Sequence, residues 1–386
     1  MFVFIFDAAL LTTASVYREA HLSTSIRQFF TSIIMLAPLC SEAHELTENL
    51  SIDGVLSGAL QCQQLTDSTT GADTCKGAIP LQPELTYRPT EFNRLFLKLG
   101  FAAGNGLNEV SPFNIPSWGA DLEDDVENIN GSGRDYVLEA WFEYVVELES
   151  RNRIGVTLGI IDASNYLDQN AYANDEYIQF MNPALSNAPN TFFPAYDLGI
   201  AAAWYINKWA FTGVVMDVHQ VTSTDKYTFY GAQAAYRLDT RLGTGNYRIS
   251  LNGNRDFIDE GGTSKQKNDI LLISADQKFG NKIGAFTRLG WRLDDEPINY
   301  RAIYSGGIDI RGSSWGRMLD NIGIGLVYLD GGNRRIIRTR IAEAYYRMVI
   351  NPYLAFTGDI QYMRDQYFQT ADAEGFIYSL RASVNF

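Results

Sequence analysis

The chain has 386 residues, of which 46% are hydrophobic and 13% aromatic, and it carries a formal net charge of −14. That length admits two soluble domains or one large closed barrel. The acidity excludes tight binding to nucleic acid, which needs a basic surface, and beyond the N-terminus no run of 18 uncharged apolar residues offers a helical membrane span.

In chain order, the first feature is a targeting segment. Arg27 precedes a short apolar core, Phe29 to Leu39, and Ser41-Glu42-Ala43 puts small residues at positions −3 and −1 of a cleavage site. The expected signal-peptide region is 1–43. Its first twenty-odd residues lie upstream of a normal signal layout, read as an over-long start, and receive no structural role. Residues 44–386 form the mature domain. Export implies an oxidising compartment, so Cys62 and Cys75, across a Thr/Ser/Gly/Asp-rich loop, are expected to pair. The mature chain has only His44 and His219, neither at ligand spacing, so no metal is expected, and no cofactor.

From there the chain alternates. The C-terminal strand shows the pattern plainly: Phe376, Tyr378, Leu380, Ala382, Val384 and Phe386 share one face, and Ser379, Arg381, Ser383 and Asn385 lie on the other. Similar segments fall at 50–62, 81–88, 94–103, 136–149, 153–161, 197–206, 209–218, 227–238, 245–254, 268–279, 282–292, 300–311, 321–330, 338–350 and 353–363, sixteen in all. Asn207-Lys208, Gly280-Asn281 and Asn351-Pro352 are tight turns, and each follows an even-numbered strand. Between them lie longer connections at 63–80, 104–135, 162–196, 219–226, 255–267, 293–299, 331–337 and 364–374, while 239–244 and 312–320 are longer than ideal for turns. Short turns on one side and long loops on the other predict an all-β, sixteen-stranded antiparallel transmembrane β-barrel in a bacterial outer membrane.

Facing follows from parity. Leu95, Leu97, Leu99 and Phe101, then Tyr136, Leu138, Ala140, Phe142, Tyr144 and Val146, with comparable sets on later strands, are expected to meet lipid. The lumen wall then receives Lys98, Glu139, Glu143, Arg237, Arg248, Arg288, Arg292, Arg301, Arg311, Arg347 and Arg381, because Arg or Lys facing mid-membrane lipid costs about 2–4 kcal/mol. Arginines on strands 8 to 12 opposite glutamates on strand 4 would set a transverse field across a water-filled channel. The acidic runs at 121–127, 256–260 and 294–296 read either as solvated loops or as a cation-holding rim.

The third long loop, 162–196, is rich in Asn, Asp and Tyr, residues that order turns and also recognise sugars. Folded inward, it would set the narrowest point. Asp162, Asn165, Tyr166, Asp168, Asn170, Asn174, Asp175, Glu176, Gln179 and Phe180 are the candidate constriction residues. Each has a structural alternative, as a turn cap or a wall anchor.

Over Gly159-Ile-Ile-Asp162, Tyr166-Leu-Asp168-Gln-Asn170-Ala171, Ala173-Asn174-Asp175-Glu176, Gln179-Phe180-Met-Asn182 and Pro194-Ala-Tyr196 the chain resembles the carbohydrate-selective porins of the OprB type. The run Glu343-Ala-Tyr345-Tyr346, Asn351-Pro352 and Asp359-Ile-Gln361-Tyr362 is similar to that family's closing hairpin. The resemblance implies a porin that passes carbohydrates by facilitated diffusion, with lipid and small hydrophilic solutes as partners and a homotrimer as an admissible assembly. The Cys62–Cys75 loop and the acidic 121–127 segment fall outside the pattern. An arginine arc admits a second reading, an anion-selective or general diffusion porin for phosphate, dicarboxylates or acidic sugars. A barrel enzyme would need Asp217-Val218-His219 near a nucleophile or activated water. No serine motif accompanies it, so the expectation is a channel and not an enzyme.

Overall fold

The computed structural model describes residues 44–67, 70–149, 151–220, 223–257, 265–295, 298–332 and 335–386. The expected signal region 1–43 lies outside the described residues. Sixteen strands wind as one antiparallel meander: β1 (Leu50–Leu65), β2 (Thr74–Thr90), β3 (Asn93–Leu99, continued as Phe101–Ala103), β4 (Val137–Glu149), β5 (Asn152–Ile161), β6 (Asp197–Ile206), β7 (Trp209–Gln220) and β8 (Ser223–Thr240), followed by β9 (Gly243–Phe257), β10 (Gln266–Phe279), β11 (Ile283–Arg292), β12 (Ile298–Arg311), β13 (Asn321–Gly332), β14 (Ile336–Val349), β15 (Leu354–Tyr367) and β16 (Ala373–Asn385). β16 pairs with β1, Tyr378 opposite Cys62, so the sheet closes without a free edge. A short strand, His44–Thr47, pairs onto the start of β1. Every segment expected from the alternation is a strand.

The outside carries an apolar belt. Leu158, Ile200, Val215, Ile249, Leu251, Ile324, Leu326 and Leu380 are all exposed. Aromatic rings bound it at both ends. Trp204, Trp209, Phe211 and Tyr236 cluster beside the tight turn at 207–208. Phe101 with Tyr136, Tyr304 with Tyr328 and Tyr362 with Phe376 lie toward the opposite end. Aromatic girdles at both interfaces are the signature of a barrel seated in lipid.

Three sequence expectations change here. Several predicted outer loops are continued strand, since β7 reaches Gln220 and β8 begins at Ser223. The outward faces there carry ion pairs, Lys226–Asp217 at 2.8 Å and Arg255–Asp269 at 3.1 Å, which suit a sheet rising out of the bilayer into water. Leu138 does not meet lipid. A register shift between Lys98 and Leu99 turns it inward, where it packs fully buried with Val126, Ile129 and Tyr196. The 239–244 connection tightens to two residues, 241–242, leaving β8 and β9 in continuous register from Thr240 opposite Gly243. The expected disulfide is present: Cys62 and Cys75 stand directly opposite each other on β1 and β2 with Cα atoms 4.0 Å apart.

Among the described residues, two outer connections are long. L2 (104–136) joins β3 to β4, and L3 (162–196) joins β5 to β6. Both fold into the barrel, and the apolar core forms between them and the wall. Leu107, Phe113 and Ile115 of L2 join Phe180, Ala184 and Leu185 of L3 against Phe286, Ile303, Val327 and Tyr345. The acidic run 121–127, open in sequence to a solvated loop or a cation-holding rim, is anchored by the fully buried Leu122 and Val126. Its apolar residues, spaced among the acids, are the sequence signal that it has a buried side.

Candidate functional site

L3 is ordered by its own short side chains before it touches the wall. Asp162 accepts from the Ser164 N–H at 2.8 Å and caps the turn Ala163–Asn165. Asn170 accepts from the Tyr172 N–H, and Asn174 from the Asn170 N–H. Asp175 accepts from the N–H groups of Tyr177 and Ile178 at 2.7 and 2.9 Å. Asn182 caps the helical turn Pro183–Ser186. These are the local bonds that Asn and Asp offer a turning backbone.

Wall residues then fix the loop. Arg288, with no solvent exposure, donates through Nε to Asp168 at 2.6 Å, through Nη1 to the Leu185 carbonyl at 2.6 Å and through Nη2 to the Ala173 carbonyl at 2.6 Å. Arg381, equally buried, donates to the carbonyls of Glu176 and Gln179 at 2.5 and 2.9 Å. Glu343 accepts from the N–H groups of Met181 and Asn182 at 2.5 and 3.0 Å. Phe180 inserts between Phe286 and Tyr345, with ring centroids 5.5 and 5.1 Å away. L2 supports the same loop: the Trp118 indole donates to the Glu176 carbonyl at 3.0 Å, and the Tyr177 hydroxyl meets the Asp121 N–H at 3.1 Å.

The space left beside the loops is a stepped passage. An outer cavity of about 910 Å³ is lined by Asn108, Asn114, Trp118, Asp125 and Tyr367. A middle cavity of about 640 Å³ meets it at Pro116, Gly119 and Pro183, and is lined by Gln82, Glu84, Lys98, Asp121, Asp162, Asn174, Asp175, Glu176, Tyr177, Phe192 and Tyr196. A lower cavity of about 550 Å³ joins at Asn165 and carries Arg94, Glu143, Tyr166, Gln169, Arg237 and Arg248 toward the short-turn end. Below its outer cavity the passage follows the β1–β9 side of the barrel. Five carboxylates line its middle against one cation, Lys98, whose Nζ is 3.9 Å from Glu84. Burial, with Asp175 and Asp121 nearby, pushes Glu176 up to about 8. Burial, with Asp121 and Asp124, pushes Asp125 up to about 7.

The candidate residues divide accordingly. Asp162, Asn165, Tyr166, Asn174, Asp175 and Glu176 border the passage. Asp168, Asn170 and Phe180 do not; they are buried in loop-to-wall contacts. Gln179 is turned into the loop, accepting from the Asn174 N–H at 2.7 Å and donating to the Ala171 carbonyl at 3.2 Å. On the wall, Glu139 is buried and accepts from Asn165 and from the Trp141 indole. Glu143 pairs with Arg94 at 2.9 Å.

The arginine arc requires correction. Arg288 and Arg381 were expected to face water and instead hold L3. Arg248 faces the passage but is paired with Asp276 at 2.8 Å. Arg292 is buried against Asp294 beyond the outer end of β11. Arg301 is not in the lumen: register shifts on either side of Tyr300 make it the extra residue and turn it outward, to Asp330 at 2.7 Å. Arg237 and Arg311 are exposed, and Arg347 lies half-buried on the inward face of β14. The transverse field expected from facing arcs is replaced by an acidic middle. Asp217 faces outward, to Lys226, and His219, two residues on along the same strand, meets Asp197 at 3.1 Å.

A closed sixteen-stranded barrel with a lipid belt, two aromatic girdles and a polar passage narrowed by an infolded loop defines an outer-membrane porin. Residues 240–386, which contain β9 to β16, match the family described as "Carbohydrate-selective porin, OprB family". The chain is similar to an uncharacterized protein of Aquifex aeolicus (strain VF5), 28% identical over 282 residues, 71% of this chain and 75% of the relative. Among solved structures it matches the high-pH structure of Pseudomonas putida OprB with TM-score 0.67 and 12% identity, covering 93% of this chain and 97% of the other. It matches a mutant of Rh. blastica porin with TM-score 0.53 and 13% identity, covering 87% and 100%. At these identities the likeness concerns the fold.

Proposed function

We propose that the protein passes small neutral carbohydrates across the outer membrane by passive diffusion along the stepped passage, with the L3 face as the selective element. The observation that carries this reading is the middle cavity, where amides, carboxylates and the rings of Tyr177, Phe192 and Tyr196 border one polar space. Sugar hydroxyls take paired polar partners and sugar C–H faces take aromatic surfaces. Asp162, Asn165, Tyr166, Asn174, Asp175 and Glu176 are the contact residues in this proposal. Asp168, Asn170, Gln179, Phe180, Arg288 and Arg381 position the loop. Export by the 1–43 segment and assembly as a homotrimer belong to the same proposal. The anion reading loses its support, because most of the expected arginine arc is paired, buried or turned outward.

Liposome swelling over a panel of mono- and disaccharides tests the proposal, together with block of single-channel current by glucose and by phosphate. Size-graded sugar entry with glucose block is the expected result. Block by phosphate without glucose block would overturn it.

A further inference from the structure

Arg301, turned out of the lumen, belongs to a larger feature on the outside of the barrel. Arg340 on β14 shares its face with exposed Tyr346, and Arg364 on β15 shares its face with exposed Ile360. Arg340 stands directly opposite Arg364 across β14 and β15, and opposite Tyr328 across β13 and β14. Arg338, on the same outward face, stands opposite Asp330, the partner of Arg301. Four guanidinium groups thus share one outward patch over β12 to β15. Beneath it lie the ring pairs Tyr304–Tyr328 and Tyr362–Phe376, the upper girdle, with exposed Leu326 and Ile324 further down β13.

Like charges directly opposite each other destabilise a sheet. Part of the charge is compensated internally: Arg301 by Asp330 at 2.7 Å, and Arg364 by Asp372 and Glu374 at 3.3 Å each, while Arg338 donates to Gln366. Arg340 is exposed and has no ion pair or hydrogen bond among the described residues. Four bases against three acids leave a cationic surplus on a chain whose net charge is −14. The surplus sits just above an aromatic girdle, at the level of lipid headgroups. A planar guanidinium fork matches a phosphate bidentately.

The geometry points to a binding site for the phosphate of a phosphorylated glycolipid in the outer leaflet, with Arg340 and Arg338 as principal donors and Tyr328 and Leu326 against its acyl part. The apolar ladder running directly below the arginines favours a membrane-anchored ligand over free phosphate. The inference rests on the outer-membrane seat and is independent of the sugar reading.

The test uses the full folded protein in mixed micelles, with bisphosphorylated lipid A, its dephosphorylated form and inorganic phosphate as probes, read by native mass spectrometry and by thermal unfolding. Lipid A is expected to bind and raise the unfolding temperature. Arg338→Gln with Arg340→Gln is expected to weaken that binding about tenfold, the loss of one or two charge-assisted hydrogen bonds, while sugar entry stays unchanged. Arg340→Gln alone supplies the readout if the double variant does not fold. Equal binding by the dephosphorylated lipid, an equal shift from inorganic phosphate, or undiminished binding in the variant would overturn the inference.

Discussion

Nε of Arg288 lies 2.6 Å from Oδ2 of Asp168, and neither side chain is exposed. The two residues are 120 positions apart, one on β11 and one in L3, so this contact joins the narrowing loop to the wall. Removing one partner of a buried pair leaves an uncompensated charge and costs about 3–5 kcal/mol. Arg288→Met should therefore destabilise the folded protein by that amount and release L3. Single-channel conductance should rise and larger sugars should enter liposomes. Combining it with Asp168→Asn should cost less than the two single changes together, a coupling that denaturant unfolding can measure.

Phe180 makes the apolar half of the same attachment. Phe180→Ala removes a ring packed against Phe286 and Tyr345 with no solvent exposure. The expected cost is about 3–5 kcal/mol. Greater open-channel current noise should accompany it, since the backbone clamps from Arg381 and Glu343 remain. Unaltered current traces would show that Phe180 does not hold the loop.

Ion preference should depend on pH. Glu176 and Asp125 are held up to about 8 and about 7 by burial and neighbouring carboxylates, so both are largely neutral near pH 6. Raising the pH through 7 to 9 adds negative charge to the passage and should increase cation over anion permeability, measured as reversal potential in planar bilayers. Glu176→Gln should flatten the upper part of that rise. A folded pKa above the unfolded one means that stability is greatest below the ordinary carboxylate range and declines as pH rises through 7 to 8. The unfolding temperature should fall from the ordinary carboxylate range up to about pH 8 and change little above it.

Leu326 is 62% exposed on the belt of β13. Leu326→Arg should cost about 2–4 kcal/mol of folding into bilayers. Arg237→Gln, on the exposed lumen end of β8, should leave folding unchanged and lower current block by anions. Opposite stabilities in these two variants would mean that the assigned faces are reversed.

Strand number, turn positions and most side-chain facing were legible in the sequence because they are local. Alternation from Phe376 to Phe386 places alternate residues on opposite faces whatever the rest of the chain does. Facing failed where a bulge breaks that parity, at Leu138 and Arg301, and a bulge depends on how two strands match across the sheet. Turn residues likewise showed that L3 is ordered. Which arginines meet water was not local. Arg288 and Arg381 look like Arg237 in sequence, yet only the settling of L2 and L3 inside the barrel buries the first two and leaves the third in the passage. Tertiary structure decides those roles because a guanidinium is fixed by whichever carbonyls and carboxylates come within reach, and here they come from loops more than a hundred residues away.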